Sequence, residues 1–144
     1  LVRQGTVVLA VDLSGLGETS VGKPSNTLSA EWKEAYLAYL MGRSLVGFRA
    51  EEVLAAARWA INEQRPPDGR ITLVARGRAV VASLHAAALE PDLFAGCRFE
   101  NGLHSWHDLA GKPCGEHLAD VVHAALASYD LSDLRAQLGD RIKP

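Results

Sequence analysis

A chain of 144 residues fits one domain and can bury a single core, near the lower end of size for an α/β enzyme. With 48% apolar and 22% charged residues it is not a disordered chain, and 15 Lys plus Arg against 17 Asp plus Glu give a formal charge of −2. That balance argues against nucleic acid or an anionic membrane as the main partner, and no apolar run approaches the roughly 20 residues of a membrane span.

No basic segment followed by an apolar one marks a signal peptide. Leu1 is not an initiator methionine and an apolar run begins almost at once, so upstream sequence is expected and localisation is not readable from this end. Gly5 to Leu13 (GTVVLAVDL) is continuously apolar and β-branched, which predicts a strand covered on both faces, as in a parallel sheet. Ser14-Gly15-Leu16-Gly17 gives the chain room to turn, and residues 18–28 are polar turn formers that read as loop. Ser29 is expected to cap a helix from Ala30 to about Met41, with Glu31 in its first turn and Gly42 closing it.

A second helix is predicted from about Ala50 to Gln64, with Val53, Ala56, Ala57, Ala60 and Ile61 on one face. Trp59 on this helix reads as core or interface packing. Pro66-Pro67-Asp68-Gly69 stops it. Arg70 to Ala75 is a second buried strand, followed by Arg76-Gly77-Arg78 and an apolar helix from Ala79 to Leu89, which Glu90-Pro91-Asp92 ends. A third strand is expected at about Ala95 to Glu100, then a loop, Asn101 to Asp108, passing into a short helix. Leu118, Val121, Val122, Ala125 and Leu126 predict an amphipathic helix over 116–128, and Ser132 a cap for a last short helix that stops at Gly139. Cys97 and Cys114 are too few for a disulfide framework and read as two unpaired thiols.

This order of elements predicts a single domain over 1–144, a three-layer α/β/α arrangement with a short parallel sheet. Three parallel strands leave two open edges, which either missing elements or another copy would have to pair.

Several segments carry a resemblance. Val11 to Thr19 (VDLSGLGET) looks like the D-x-R-G-x-G-x-S stretch that follows the fourth strand of α/β-hydrolases, with Ser14 where Arg is common. Gly42 to Arg49 (GRSLVGFR) resembles the G-R-x-L-x-G-x-R segment of acetyl xylan esterase-like members. Ile71 to Leu89 has the form of the nucleophile strand, elbow and helix; Leu93 to Asp108 resembles the sixth strand, and Tyr129 to Leu134 (YDLSDL) the run before the seventh. The chain thus resembles the central portion of an α/β-hydrolase of the acetyl xylan esterase, prolyl oligopeptidase and dienelactone hydrolase-like group.

The hydrolase elbow is small-x-nucleophile-x-small on a tight strand-to-helix turn. Here it reads Ala75-Arg76-Gly77-Arg78-Ala79, which keeps the small flanks and puts Gly77, with no nucleophilic side chain, at the reacting position. Ser83, two helical turns on, is not placed to replace it. The resemblance puts the acid and histidine beyond Pro144 and one oxyanion donor before Leu1. It implies a relative of carbohydrate acetyl esterases that is inactive as it stands. One alternative is a non-catalytic binding or assembly module that uses its strand edges or a helix-start anion site. Another is part of a working esterase completed by a longer parent chain or a partner.

Candidate residues follow from this, each beside a plainer reading. Arg76, Gly77 and Arg78 at a helix start suggest a site for a small anion, although arginines commonly flank turns. Asp12, Ser14, His104, Trp106 and His107 are expected to line the crevice at the strand ends, with a sugar-stacking role for Trp106 as one hypothesis. Asp108 stands where some hydrolases carry the triad acid, but reads more readily as an exposed helix-start carboxylate. His104, His107 and Asp108 lack the further ligands of a zinc site, so no metal and no cofactor are expected. His85 reads as a packed histidine inside a helix, and His117 and His123 as solvent-facing.

Overall fold

The structure, a computed structural model, describes residues 6–20, 30–111 and 115–144. In chain order these form α1 (Trp32–Leu40), α2 (Leu45–Gln64), β1 (Ile71–Arg76), α3 (Ala79–Leu89), β2 (Phe94–Glu100) and α4 (Leu131–Leu138). Single turns of 3₁₀ helix occur between them, among them His107–Leu109, Gly115–Asp120 and Ala125–Ala127. The architecture is mixed α/β, a two-stranded parallel sheet packed against helices.

β1 and β2 pair from Thr72 opposite Gly96 to Arg76 opposite Glu100, after an irregularity between Ile71 and Thr72. A parallel pair needs a crossover, and α3 supplies it. That helix is apolar on every side, with Val80 to Leu84 and Ala86 to Ala88 buried, as expected of an element packed all round. It lies against both strands and between α2 and α4, and its alanines permit close approach. Val46, Val81, Leu84, Phe94 and Leu131 are among the side chains of the single large core cluster. Beyond β2 the chain returns as a further parallel contact: Ile142 bridges Cys97, and the Lys143 N–H donates to the Cys97 carbonyl at 2.8 Å.

α2 begins five residues before the sequence reading put it, because Ser44 accepts the Gly47 N–H at 2.9 Å and caps the helix there. It ends at Arg65 in the left-handed conformation. α1 matches its predicted span closely, but its expected cap, Ser29, lies outside the described residues, as does Cys114. The other thiol, Cys97, is buried and free.

Five expectations are corrected. Residues 6–13 form no helix or strand and pair with no strand among the described residues, and their valines are exposed, Val7 by 71% and Val11 by 47%. A β-branched run becomes a strand only beside a partner, and Ser14 holds the end of this one against α2 instead: its N–H and hydroxyl both donate to the Glu52 carboxylate. β1 itself is covered on one face, with Thr72, Val74 and Arg76 exposed.

The helix predicted over 116–128 is broken into two 3₁₀ turns with Ala124 at φ 59°. The Asp120 carbonyl, which a continuous helix would give to residue 124, accepts the Trp106 indole N–H at 2.9 Å. The cap of α4 is Asp130, not Ser132: Asp130 accepts the Leu131 N–H at 2.7 Å, and Asp133 accepts the Asp130 N–H at 2.8 Å. Of the two readings of Trp59, core packing is excluded, since it is 54% exposed and α2 turns its other face to the core. Among the described residues no helix is long and apolar enough to cross a membrane.

Candidate functional site

The turn from β1 into α3 carries the site. Ala75 is buried at the end of the strand, Ala79 opens the helix, and Gly77 between them has φ +56°. A left-handed residue at so tight a corner favours glycine, although a Cβ built there would meet nothing within 4 Å. The Gly77 N–H donates to the Glu100 carbonyl at 2.8 Å, so this amide closes the sheet and is not free to bind a ligand.

The two flanking arginines also have partners. Arg76 Nε lies 2.5 Å from Glu100 Oε2, and Arg78 Nη1 lies 2.5 Å from Glu31 Oε2. Arg78 Nε is in addition 3.8 Å from Asp120 Oδ2. The anion site suggested by Arg76-Gly77-Arg78 therefore already has carboxylates on both guanidinium groups.

A groove of about 290 Å³ runs beside this turn, lined by Val11, Asp12, Leu13, Leu16, Arg76, Arg78 and Ala79. Of the expected crevice residues only Asp12 lines it. The Asp12 carboxylate accepts the Glu18 N–H at 3.0 Å, and Gly17 lies so close that a Cβ there would fall 2.2 Å from Asp12 Oδ1. Ser14 is turned away to Glu52. His104 is exposed, and Trp106 is buried in the core against His85 and Tyr129, which removes the surface a sugar would stack on.

Behind the groove is a cluster that the sequence reading missed. Arg49 is 1% exposed, with Glu31 Oε1 at 3.6 Å and Asp120 Oδ1 at 3.9 Å, and its Nε donates to the Ser14 carbonyl at 2.8 Å. Burial lowers the pKa of this guanidinium against the opposing pull of Glu31 and Asp120. Burial likewise raises the pKa of Asp120, which Arg78, His117 and Arg49 partly offset. Arg49 Nη2 and Asp120 Oδ1 are both buried without a hydrogen bond among the described residues. The four charges come from α1's start, α2, α3's start and the 3₁₀ turn at Gly115–Asp120, so no local spacing announces them.

A second constellation unites Ser105, His107 and Asp130. The Ser105 hydroxyl donates to Asp130, His107 Nδ1 lies 3.2 Å from the same oxygen, and the Trp106 N–H donates to the other at 2.7 Å. These are the residue types of a catalytic triad in the wrong connection: the serine addresses the acid and not the imidazole. Burial pushes the Asp130 carboxyl up, but the donors at Ser105, Trp106, Leu131 and His107 outweigh it and hold it well below the usual carboxylate range. Asp130 thus anchors the loop after β2 to the head of α4.

Asp108 is exposed and makes no hydrogen bond among the described residues, and no three His, Cys, Asp or Glu side chains there converge as a metal would require. Inside α3, His85 Nδ1 is 2.7 Å from the Val81 carbonyl and Nε2 is 2.9 Å from the Tyr129 hydroxyl. The carbonyl fixes the proton on Nδ1, so Nε2 accepts from tyrosine. Burial, against the Val81 bond, keeps this ring's pKa below that of a free histidine. His123 is exposed and packs edge-on to Tyr39, while His117 lies 3.3 Å from Asp120.

No family model, no curated protein and no solved structure matches this chain.

Proposed function

We propose that this chain is the central section of an α/β-hydrolase-like domain, related to carbohydrate acetyl esterases, whose elbow no longer carries a nucleophile. The observation that carries the reading is Gly77 at φ +56° on a tight turn between a strand and a buried helix, flanked by the small residues Ala75 and Ala79. That is the geometry which, with a serine, lifts an attacking hydroxyl above a sheet. Two further features support it. β1, α3 and β2 form a parallel unit, and Ile142 and Lys143 start a further parallel contact beside β2, where the resemblance puts the seventh strand. The groove beside Gly77 lies at the C-terminal end of β1, where open α/β sheets bind ligands.

On this reading the three-layer architecture belongs to the full domain, and acyl transfer is lost at its first step. Gly77 offers no nucleophile, and Ser105 is committed to Asp130. The test is hydrolysis of p-nitrophenyl acetate by the purified chain, with Gly77→Ser in parallel. Neither should exceed the buffer rate, because an added serine would still lack a base. A wild-type rate above buffer that a single substitution abolishes would overturn the reading.

A further inference from the structure

We propose that the open edge of β1 receives residues 6–13 of a second copy of this chain, so that two copies join by reciprocal strand pairing. The proposal does not rest on the esterase-like reading, on which further strands of a full domain would pair this edge instead.

The chain holds both halves of a strand pair that it does not join within itself. On one side, residues 6–12 are exposed and without a strand partner among the described residues, an apolar, largely β-branched run in water. On the other, β1 bonds among the described residues to β2 alone, and Val74 on it is 45% exposed. A row of unpaired N–H and C=O groups on a flat apolar strand is a template for another strand. Natural edges are commonly protected by Pro or Lys, and neither residue occurs in 6–13 or in β1.

The pairing is not made within one copy because the segment is held at its root. Leu13 is buried, the Leu16 N–H donates to the Leu13 carbonyl at 2.8 Å, and both Glu52 and Arg49 fix Ser14. Val11 to Leu13 therefore stand across the groove from Arg76, Arg78 and Ala79 and form no ladder with β1.

The two partners also match in pattern and charge. With a period of two, Val7, Leu9 and Val11 share one face and would extend the half-covered face formed by Ile71, Leu73 and Ala75. Asp12 is the sole charge in 6–13, whereas arginines flank β1 at both ends, Arg70 and Arg76. Arg76 remains 74% exposed despite its pair with Glu100, and Arg70 holds Asp68 only at 3.7 Å. Either strand direction brings Asp12 to one of them. Each copy offers one donor segment and one acceptor edge, so a two-fold pair closes and leaves neither unfilled.

Light scattering after size exclusion, from about 1 to about 100 μM, tests this directly. A concentration-dependent dimer is expected, and Val8→Lys or Val74→Lys should each weaken it at least about tenfold, since a charge placed on a pairing edge opposes it. Both positions are exposed, so circular dichroism should show an unchanged monomer fold. A second measurement keeps the side chains small: in a Cys114→Ser background, Val8→Cys and Val74→Cys chains are mixed and oxidised. A disulfide-linked heterodimer between the two variants supports the pairing, and its absence overturns it. A monomer at every concentration overturns it too, as does a dimer that survives both lysine substitutions and so uses another surface.

Discussion

The amide of Gly77 donates to the carbonyl of Glu100 at 2.8 Å, so the last bond between β1 and β2 is made by the residue that turns the chain into α3. One backbone group thereby fixes the corner to the sheet while the α-carbon faces open space. Substitution here separates backbone strain from crowding. Gly77→Ser should fold and lose about 1 kcal/mol, the cost of a left-handed conformation for an L residue. Gly77→Asn should lose less, since Asn tolerates that region, and Gly77→Val should lose more. Urea denaturation of the three variants checks the order. Equal losses would mean that the corner relaxes out of the left-handed region.

Asp130 sets the acid limit of the fold. Its folded pKa lies below the unfolded value of about 3.9, so the stability it contributes is fully present above that pH and is lost as pH falls toward the folded value. The thermal midpoint should therefore decline between about pH 4 and pH 2. Ser105→Ala removes one donor, raises the carboxyl pKa and shrinks the decline. Asp130→Asn removes the titrating carboxyl and with it this contribution, while its amide oxygen still caps α4, since Asn caps a helix about as well as Asp. An unchanged pH profile in Asp130→Asn would show that another carboxylate sets the limit.

Arg49 holds the loop at Ser14, the start of α1 and the turn at Asp120 in one buried set of charges. Arg49→Met leaves Glu31 with Arg78, and Asp120 with Arg78 and His117, and should cost about 3 kcal/mol in urea denaturation, because buried carboxylates lose a charged partner. Combined with Glu31→Gln the loss should be less than additive, since both changes break the same pair. Strict additivity would mean that the two side chains act independently.

Cys97 should be slow to react. Burial pushes its thiol up to about 11, with Arg141 opposing, so little thiolate forms at pH 8. In a Cys114→Ser chain, labelling by iodoacetamide should be slow until denaturant is added. Fast labelling of the folded chain would show that β2 opens readily.

Much of the fold was legible in one dimension. The Ala79–Leu89 helix matches its predicted limits, because an apolar run between an Arg-Gly-Arg turn and Glu90-Pro91 has clear ends. The strands at Ile71–Arg76 and Phe94–Glu100 fall within a residue of their expected limits. The tight turn at Gly77 was also legible, since a glycine between a strand and an apolar helix marks a sharp corner. Where local signals competed, the reading failed. The amphipathic pattern over 116–128 was real, but a tryptophan from a distant loop claimed the carbonyl that a helix there would need.

The sequence by itself determined the alternation of α1, α2, β1, α3 and β2, the apolar helix between the two strands and the glycine turn before it, because these depend on neighbouring residues and on side-chain chemistry. Tertiary structure alone decided that Glu31, Arg49, Arg78 and Asp120 meet, that Trp106 is buried, and that residues 6–13 stand unpaired. Contacts between charges from four elements have no signature in spacing. A strand, unlike a helix, takes its hydrogen bonds from another part of a chain, so its pattern states a capacity that only a partner fulfils.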